Sequence, residues 1–222
     1  MARRLAAALI LAACPALAAD PAPMQAPEPP ARPTAVQPSP PRVVAPLPEA
    51  IICGDPRLIG RRRGNIVGPL PGCAILEPVQ ITKISGIAIQ GDTTLECRTA
   101  RTVANWLTGV VVPEARRRLG SGISAVHVFG SYSCRTRNNR PGARMSEHAV
   151  GRAIDIAGFT LVNGRRITVL QNWGKGAQGA FLDHIWRKAC GTFTTVLGPQ
   201  SDRFHQDHLH LDTAYRNNAF CR

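Results

Sequence analysis

The sequence predicts an α+β domain: a small antiparallel sheet with flanking helices, stabilised by disulfides. Three observations carry this. Strand-like runs are joined by short connections, which suits antiparallel pairing. Two segments place apolar residues at helical spacing. Of seven cysteines in 222 residues, six lie beyond the N-terminal leader.

The leader reads "MARRLAAALILAACPALAAD". Arg3 and Arg4 precede an apolar run too short to span a bilayer, and small residues follow. Residues 1–19 therefore read as a signal peptide for export to the periplasm. Ala16-Leu17-Ala18 offers a cleavage site that releases a soluble chain. "LAAC", ending at Cys14, offers lipoprotein anchoring as the alternative. No transmembrane helix is expected in the mature chain. Residues 20–50 read as a disordered linker, because eleven prolines fall between 20 and 48. Residues 51–222 form the folded unit, about 170 residues, enough to bury a substantial core.

Within that unit, "IGRRRGNIVGPLPGC" (59–73) is rich in Gly and Pro and reads as loop. "VQITKISGIAIQ" (79–90) reads as β. Thr93 and Glu96 form a capping box for a helix over "LECRTARTVANWL", with Leu95, Val103, Trp106 and Leu107 on one face. Pro113 starts a second helix that stops at Gly120. "ISAVHVFGSYS" reads as a strand in which Val126, Val128 and Gly130 alternate with Ala125, His127 and Phe129. "RTRNNRPGAR" is a polar loop. Asn163-Gly164 between two β-leaning runs predicts a hairpin. "AQGAFLDHIWRKAC" predicts a helix with Phe181, Leu182, Ile185 and Trp186 on its apolar face. "DHLHLD" reads as a last strand.

The even set Cys53, Cys73, Cys97, Cys134, Cys190 and Cys221 suggests a disulfide framework in an exported chain. Sequential pairing, 53–73, 97–134 and 190–221, is the simplest expectation. No C-x-x-C pair supports cysteine-bound zinc. The formal charge is +13, falling to about +11 without the leader arginines. Basic clusters at 61–63 and 116–118 suit peptidoglycan or another anionic envelope polymer, or simply a solvated face. Nucleic acid is not expected, since aromatics are few and the compartment is wrong. The oligomeric state is not legible.

Two stretches carry chemistry. In an extended "HLHLD", His208, His210 and Asp212 share one face while Leu209 and Leu211 share the other. Two imidazoles side by side suit zinc. In "SEHAVGRAID", Ile154 and Ile156 face the core, so Asp155 points the other way and needs a partner. A metal or Arg152 would serve. Gly151 permits a tight turn that brings His148 and Asp155 together, and Ser146 caps or orients that turn. His148, Asp155 and one strand histidine would leave a fourth zinc position open, as catalytic sites do. The other strand histidine would serve as a base. Asp212 would orient His210 through its second ring nitrogen. His205 is expected to be exposed, Asp207 to point away from His208, His184 to pack or face solvent, and His127 to be a satisfied core histidine.

The first stretch resembles the S-x-H-x-x-G-x-A-x-D signature of zinc D-Ala-D-Ala carboxypeptidases. "HLH" resembles the H-x-H element of lysostaphin-type peptidases, murein endopeptidases and the hedgehog domain. Through "YSCR", "SEHAVGRAIDI", "FLDHIWRKACGTFTTVLGP" and "FHQDHLHLD", most of the mature chain resembles the bacterial extensin-like C-terminal domain family. The resemblance implies a hedgehog- or D-Ala-D-Ala-peptidase-like fold. It implies zinc ligands His148, Asp155 and His210, with His208 as the unliganded catalytic histidine. The carboxypeptidases place a glutamate base in an E-x-x-H element; H-x-H stands here instead, which favours endopeptidase action. Their substrate-holding arginine follows a tyrosine; Arg135, after Tyr132, is the counterpart here and would hold a peptide carboxylate. The expected function is zinc-dependent cleavage of amide bonds in peptidoglycan peptides. The alternative is a wall-binding module that keeps the fold without turnover.

Overall fold

A computed structural model describes residues 48–222; the expected signal peptide, Cys14 and nearly all of the linker lie outside the described residues. The chain runs β1 (Ala50–Ile51), β2 (Leu58–Arg62), β3 (Ile66–Val67), β4 (Ala74–Ile75), β5 (Val79–Ile84), β6 (Ile87–Gln90) and β7 (Thr94–Leu95). Next come α1 (Cys97–Trp106), a π-helical turn (Leu107–Val111) and α2 (Val112–Leu119), followed by β8 (Ile123–Gly130). The second half holds β9 (Ala153–Leu161), β10 (Arg166–Thr168), α3 (Val169–Asn172), α4 (Gly176–Ala189), β11 (Thr195–Leu197), β12 (Leu209–Asp212) and β13 (Phe220–Cys221).

The sheet is large rather than small. Eleven strands join in one sheet, its main path running β1-β2-β5-β6-β8-β9-β12-β11-β13, with β7 on β5 and β10 on β9; β3 and β4 pair separately. It is also mixed, since β6–β8 and β11–β13 are parallel. The expectation of loop over 59–73 accounts for part of the difference. Arg61 and Arg62 of β2 pair with Gln80 and Val79 of β5 in spite of the flanking glycines. Short strands of this kind are fixed by their partners, not by their own composition.

Local signals account for several elements. Ser85 and Gly86, both at positive φ, turn β5 into β6. Gly164, at φ 83°, closes the β9–β10 hairpin. Gly120 ends α2 in the left-handed conformation, with Pro113 in the first turn. The expected capping box is not made. Thr93 donates its hydroxyl to Ile81 O, Leu95 belongs to β7, and Glu96 stands at the N-cap without a side-chain cap. The alternation expected in β8 is broken by register shifts on both sides of Val128.

The core lies between one sheet face and the helices. Val103, Trp106 and Leu107 meet Leu182 and Ile185 of α4, together with Ile81, Val126, Ile154, Ile156 and Phe159 of the sheet. Trp106 packs edge-on to Phe193, and Phe159 edge-on to Phe181, at centroid distances of 6.0 and 5.6 Å. Trp106 Nε1 donates to Ile185 O at 3.0 Å, so its one polar atom is satisfied. The disulfides are Cys53–Cys97, Cys73–Cys134 and Cys190–Cys221. Only the last matches sequential pairing. Cys53 lies against the start of α1, and Cys134 against the β3–β4 loop, and neither contact is local in sequence. Loops of this size make each bridge worth about 4 kcal/mol through the unfolded chain.

Candidate metal centre

Antiparallel pairing of β9 and β12 sets His210 directly opposite Asp155. On the core side of the same pair lie Ile154, Ile156, Leu209 and Leu211. His148 arrives from the turn before β9. Ser146 Oγ accepts from His148 N–H at 3.4 Å and starts a 3₁₀ turn over Glu147–Val150. Gly151 ends it at φ 67°, and a Cβ there would meet Ile75 Cδ1 at 2.7 Å and Glu96 N at 3.0 Å. Only glycine suits both the conformation and the space.

The three side chains converge. His148 Nε2 lies 3.2 Å from Asp155 Oδ2, His210 Nδ1 lies 2.9 Å from Asp155 Oδ1, and the two nitrogens lie 3.2 Å apart. A tetrahedral ion with bonds of about 2.0–2.1 Å sets its donors about 3.3 Å apart. His148 Nδ1 donates to the Ser131 carbonyl. In a neutral ring that bond places the proton on Nδ1 and turns Nε2 towards Asp155. Asp155 Oδ2 lies so close to this nitrogen that either a ring proton or a cation must stand between the two. Asp212 lies behind His210, its Oδ2 3.4 Å from Nε2, and its Oδ1 accepts from Ala214 N–H at 3.1 Å.

Electrostatics follow this packing. Burial opposes ionisation of Asp155, but the imidazoles of His148 and His210 hold its carboxyl far below the usual carboxylate range. Burial likewise opposes charge on His210, yet hydrogen bonds to Asp155 and Asp212 prevail and raise its pKa to about 9. Arg152 is not the partner of Asp155. Its Nε lies 3.4 Å from Glu96, and its guanidinium stacks over Tyr215 at 4.6 Å.

The remaining candidates differ in where they fall. His208 precedes β12 and is buried, with Nε2 3.7 Å from Asp155 Oδ1. Asp207 does not point away, since its Oδ1 accepts from His208 Nδ1 at 2.8 Å. The strand begins only at Leu209, so strict alternation does not reach back to 207. Nor is His205 exposed. It bonds Asp202 at 2.8 Å and packs its ring 5.2 Å from that of His208. Burial lowers its pKa, with Asp202 opposing. Arg135 lines the same cleft, of about 420 Å³, as do Arg137, Phe129 and Arg216. His184 and His127 lie apart from the cleft, against Glu114 at 3.8 Å and Thr160 at 2.7 Å. The adjacent Asp207-His208 pair was the visible signal for a carboxylate–imidazole contact; reading 207–212 as one strand obscured it.

The model of the extensin-like protein C-terminus family matches residues 60–222. The chain belongs to that family. The match spans the whole of the centre, from the Ser146 turn to Asp212, and all six bridged cysteines except Cys53. No curated protein and no solved structure matches the extensin-like chain significantly. Among the described residues, no helix is long and apolar enough to cross a membrane.

Proposed function

We propose that this extensin-like chain is an exported zinc-dependent hydrolase that cleaves amide bonds in the peptides of peptidoglycan. The observation that carries the reading is the convergence of His148, Asp155 and His210, each offering one ligand atom, with all these atoms within 4.8 Å of one another. Two nitrogens and a carboxylate oxygen, with an accessible cleft beside them, form the donor set of catalytic rather than structural zinc. The resemblance of "SEHAVGRAID" and "HLH" to zinc peptidases of the cell wall supports the same reading, and with it a hedgehog- or D-Ala-D-Ala-peptidase-like fold. The formal charge of +13, or about +11 without the leader arginines, suits an anionic wall polymer in the periplasm.

A zinc ion held there would lower the pKa of a coordinated water towards ~7 and polarise a substrate carbonyl. His148, Asp155 and His210 would hold the ion. The Ser131 carbonyl fixes the ring of His148, and Asp212 that of His210. His208 accepts the proton of the attacking water at Nε2 and returns it to the departing amine. Arg135, in the cleft wall, receives a carboxylate of the peptide.

Purified protein, loaded with zinc and incubated with isolated sacculi, should release soluble muropeptides. His210→Ala should lower release by at least about 10²-fold, because both the ion and its chemistry are lost. Binding to sacculi with no release, by a chain that retains zinc, would instead favour the wall-binding module.

A further inference from the structure

Phe129 is a large apolar residue left 62 % exposed, and its ring lies flat on that of His208, with centroids 5.2 Å apart and planes 3° from parallel. It is presented by an irregular stretch of β8, where register shifts fall between His127 and Val128 and again between Val128 and Gly130. Bulges of this kind re-aim side chains beside sites. The second restraint on His208 is Asp207. A carboxylate only accepts, so the 2.8 Å contact puts the proton of a neutral ring on Nδ1. Nε2 is then a lone pair turned towards the metal centre, 3.7 Å from Asp155 Oδ1.

We propose that Asp207 and Phe129 are positioning residues for His208. Asp207 sets which ring nitrogen carries the proton, and Phe129 fixes the plane of the ring. The assignment of a proton-handling role to His208 rests on the peptidase reading; the restraint of its ring does not. Both residues are surface-accessible, Asp207 with a side chain 41 % exposed, so their replacement leaves the core intact.

The test uses the purified zinc-loaded chain with ¹⁵N-labelled histidine, its His208 resonances assigned by their loss in His208→Gln. Long-range proton–nitrogen correlation reads which ring nitrogen is protonated. Wild type should show the proton on Nδ1 of His208. Asp207→Ala should move it towards Nε2 and lower muropeptide release about 100-fold, the lower end of what positioned acid–base catalysis contributes. Zinc affinity should stay within about threefold of wild type, against the 10–100-fold loss seen when a ligand loses its own partner. Phe129→Leu keeps the Asp207 bond, so the proton should stay on Nδ1 while release falls about tenfold. If Asp207→Ala does not fold, Asp207→Leu gives the same reading, since its near-isosteric side chain has no atom to accept from Nδ1. A proton that stays on Nδ1 without Asp207 overturns the proposal, and so does loss of zinc in that variant. A proton that moves, in a chain whose wild type releases nothing, supports the positioning role and sinks the peptidase reading instead.

Discussion

The two faces of the β9–β12 pair share one backbone ladder and almost nothing else. Ile154, Ile156, Leu209 and Leu211 enter the core, and Asp155, His210 and Asp212 leave from the other side. Packing alone stabilises the first face, in proportion to the apolar area removed from water. On the second face Asp155 is only 6 % exposed, and a carboxylate that deep is tolerated only because imidazoles surround it. A slip of one residue would exchange the faces, so the aliphatic side fixes the register that aligns the donors. The core thus builds the centre without touching it.

The comparison can be broken first at its apolar side. Phe159→Ala removes a fully buried ring packed on Trp106 and Phe181. It should cost about 3–5 kcal/mol in urea unfolding. Zinc affinity of the folded chain should change little. A large loss of zinc would mean that the faces are not independent.

The polar side gives a smaller effect of the opposite kind. Asp212→Asn should weaken zinc binding about 10–100-fold, because His210 loses the carboxylate that orients it. The melting temperature of the metal-free chain should move by only a few degrees. Equal zinc affinity in this variant would remove Asp212 from the account.

The gentlest probe is pH. The pKa of His210 rises from 6.5 to about 9 in the metal-free chain, so its ring is charged at neutral pH. That contribution to stability is complete below pH 6.5 and is lost as the pH climbs through about 9. Thermal melting of the metal-free chain should decline across that window. Zinc uptake at pH 7.5 must expel the proton, and calorimetry in buffers of different ionisation enthalpy should read about one proton released per ion.

Much of this was legible in the sequence where the signal is local. The apolar face of α4, the Asn163-Gly164 hairpin and the alternation of β12 each follow from a few adjacent residues. Asp155 stood out because a carboxylate between two isoleucines needs a reason. What was not legible depends on partners far away. The strands inside 59–73 exist because β5 and a second short strand accept their hydrogen bonds. Cys53 joins Cys97, and Cys73 joins Cys134, because the fold brings them together across 44 and 61 residues. Asp207 was misread because β12 starts two residues later than "DHLHLD" suggests, and His205 because Asp202 and the ring of His208 cover it.

The most direct test is the zinc content of the purified chain after dialysis against buffer with low free zinc. Wild type should hold one ion per chain, and His148→Ala and His210→Ala should hold none while melting cooperatively. A wild-type chain that retains no zinc, or single variants that retain as much as wild type, would contradict a metal centre built by these three side chains.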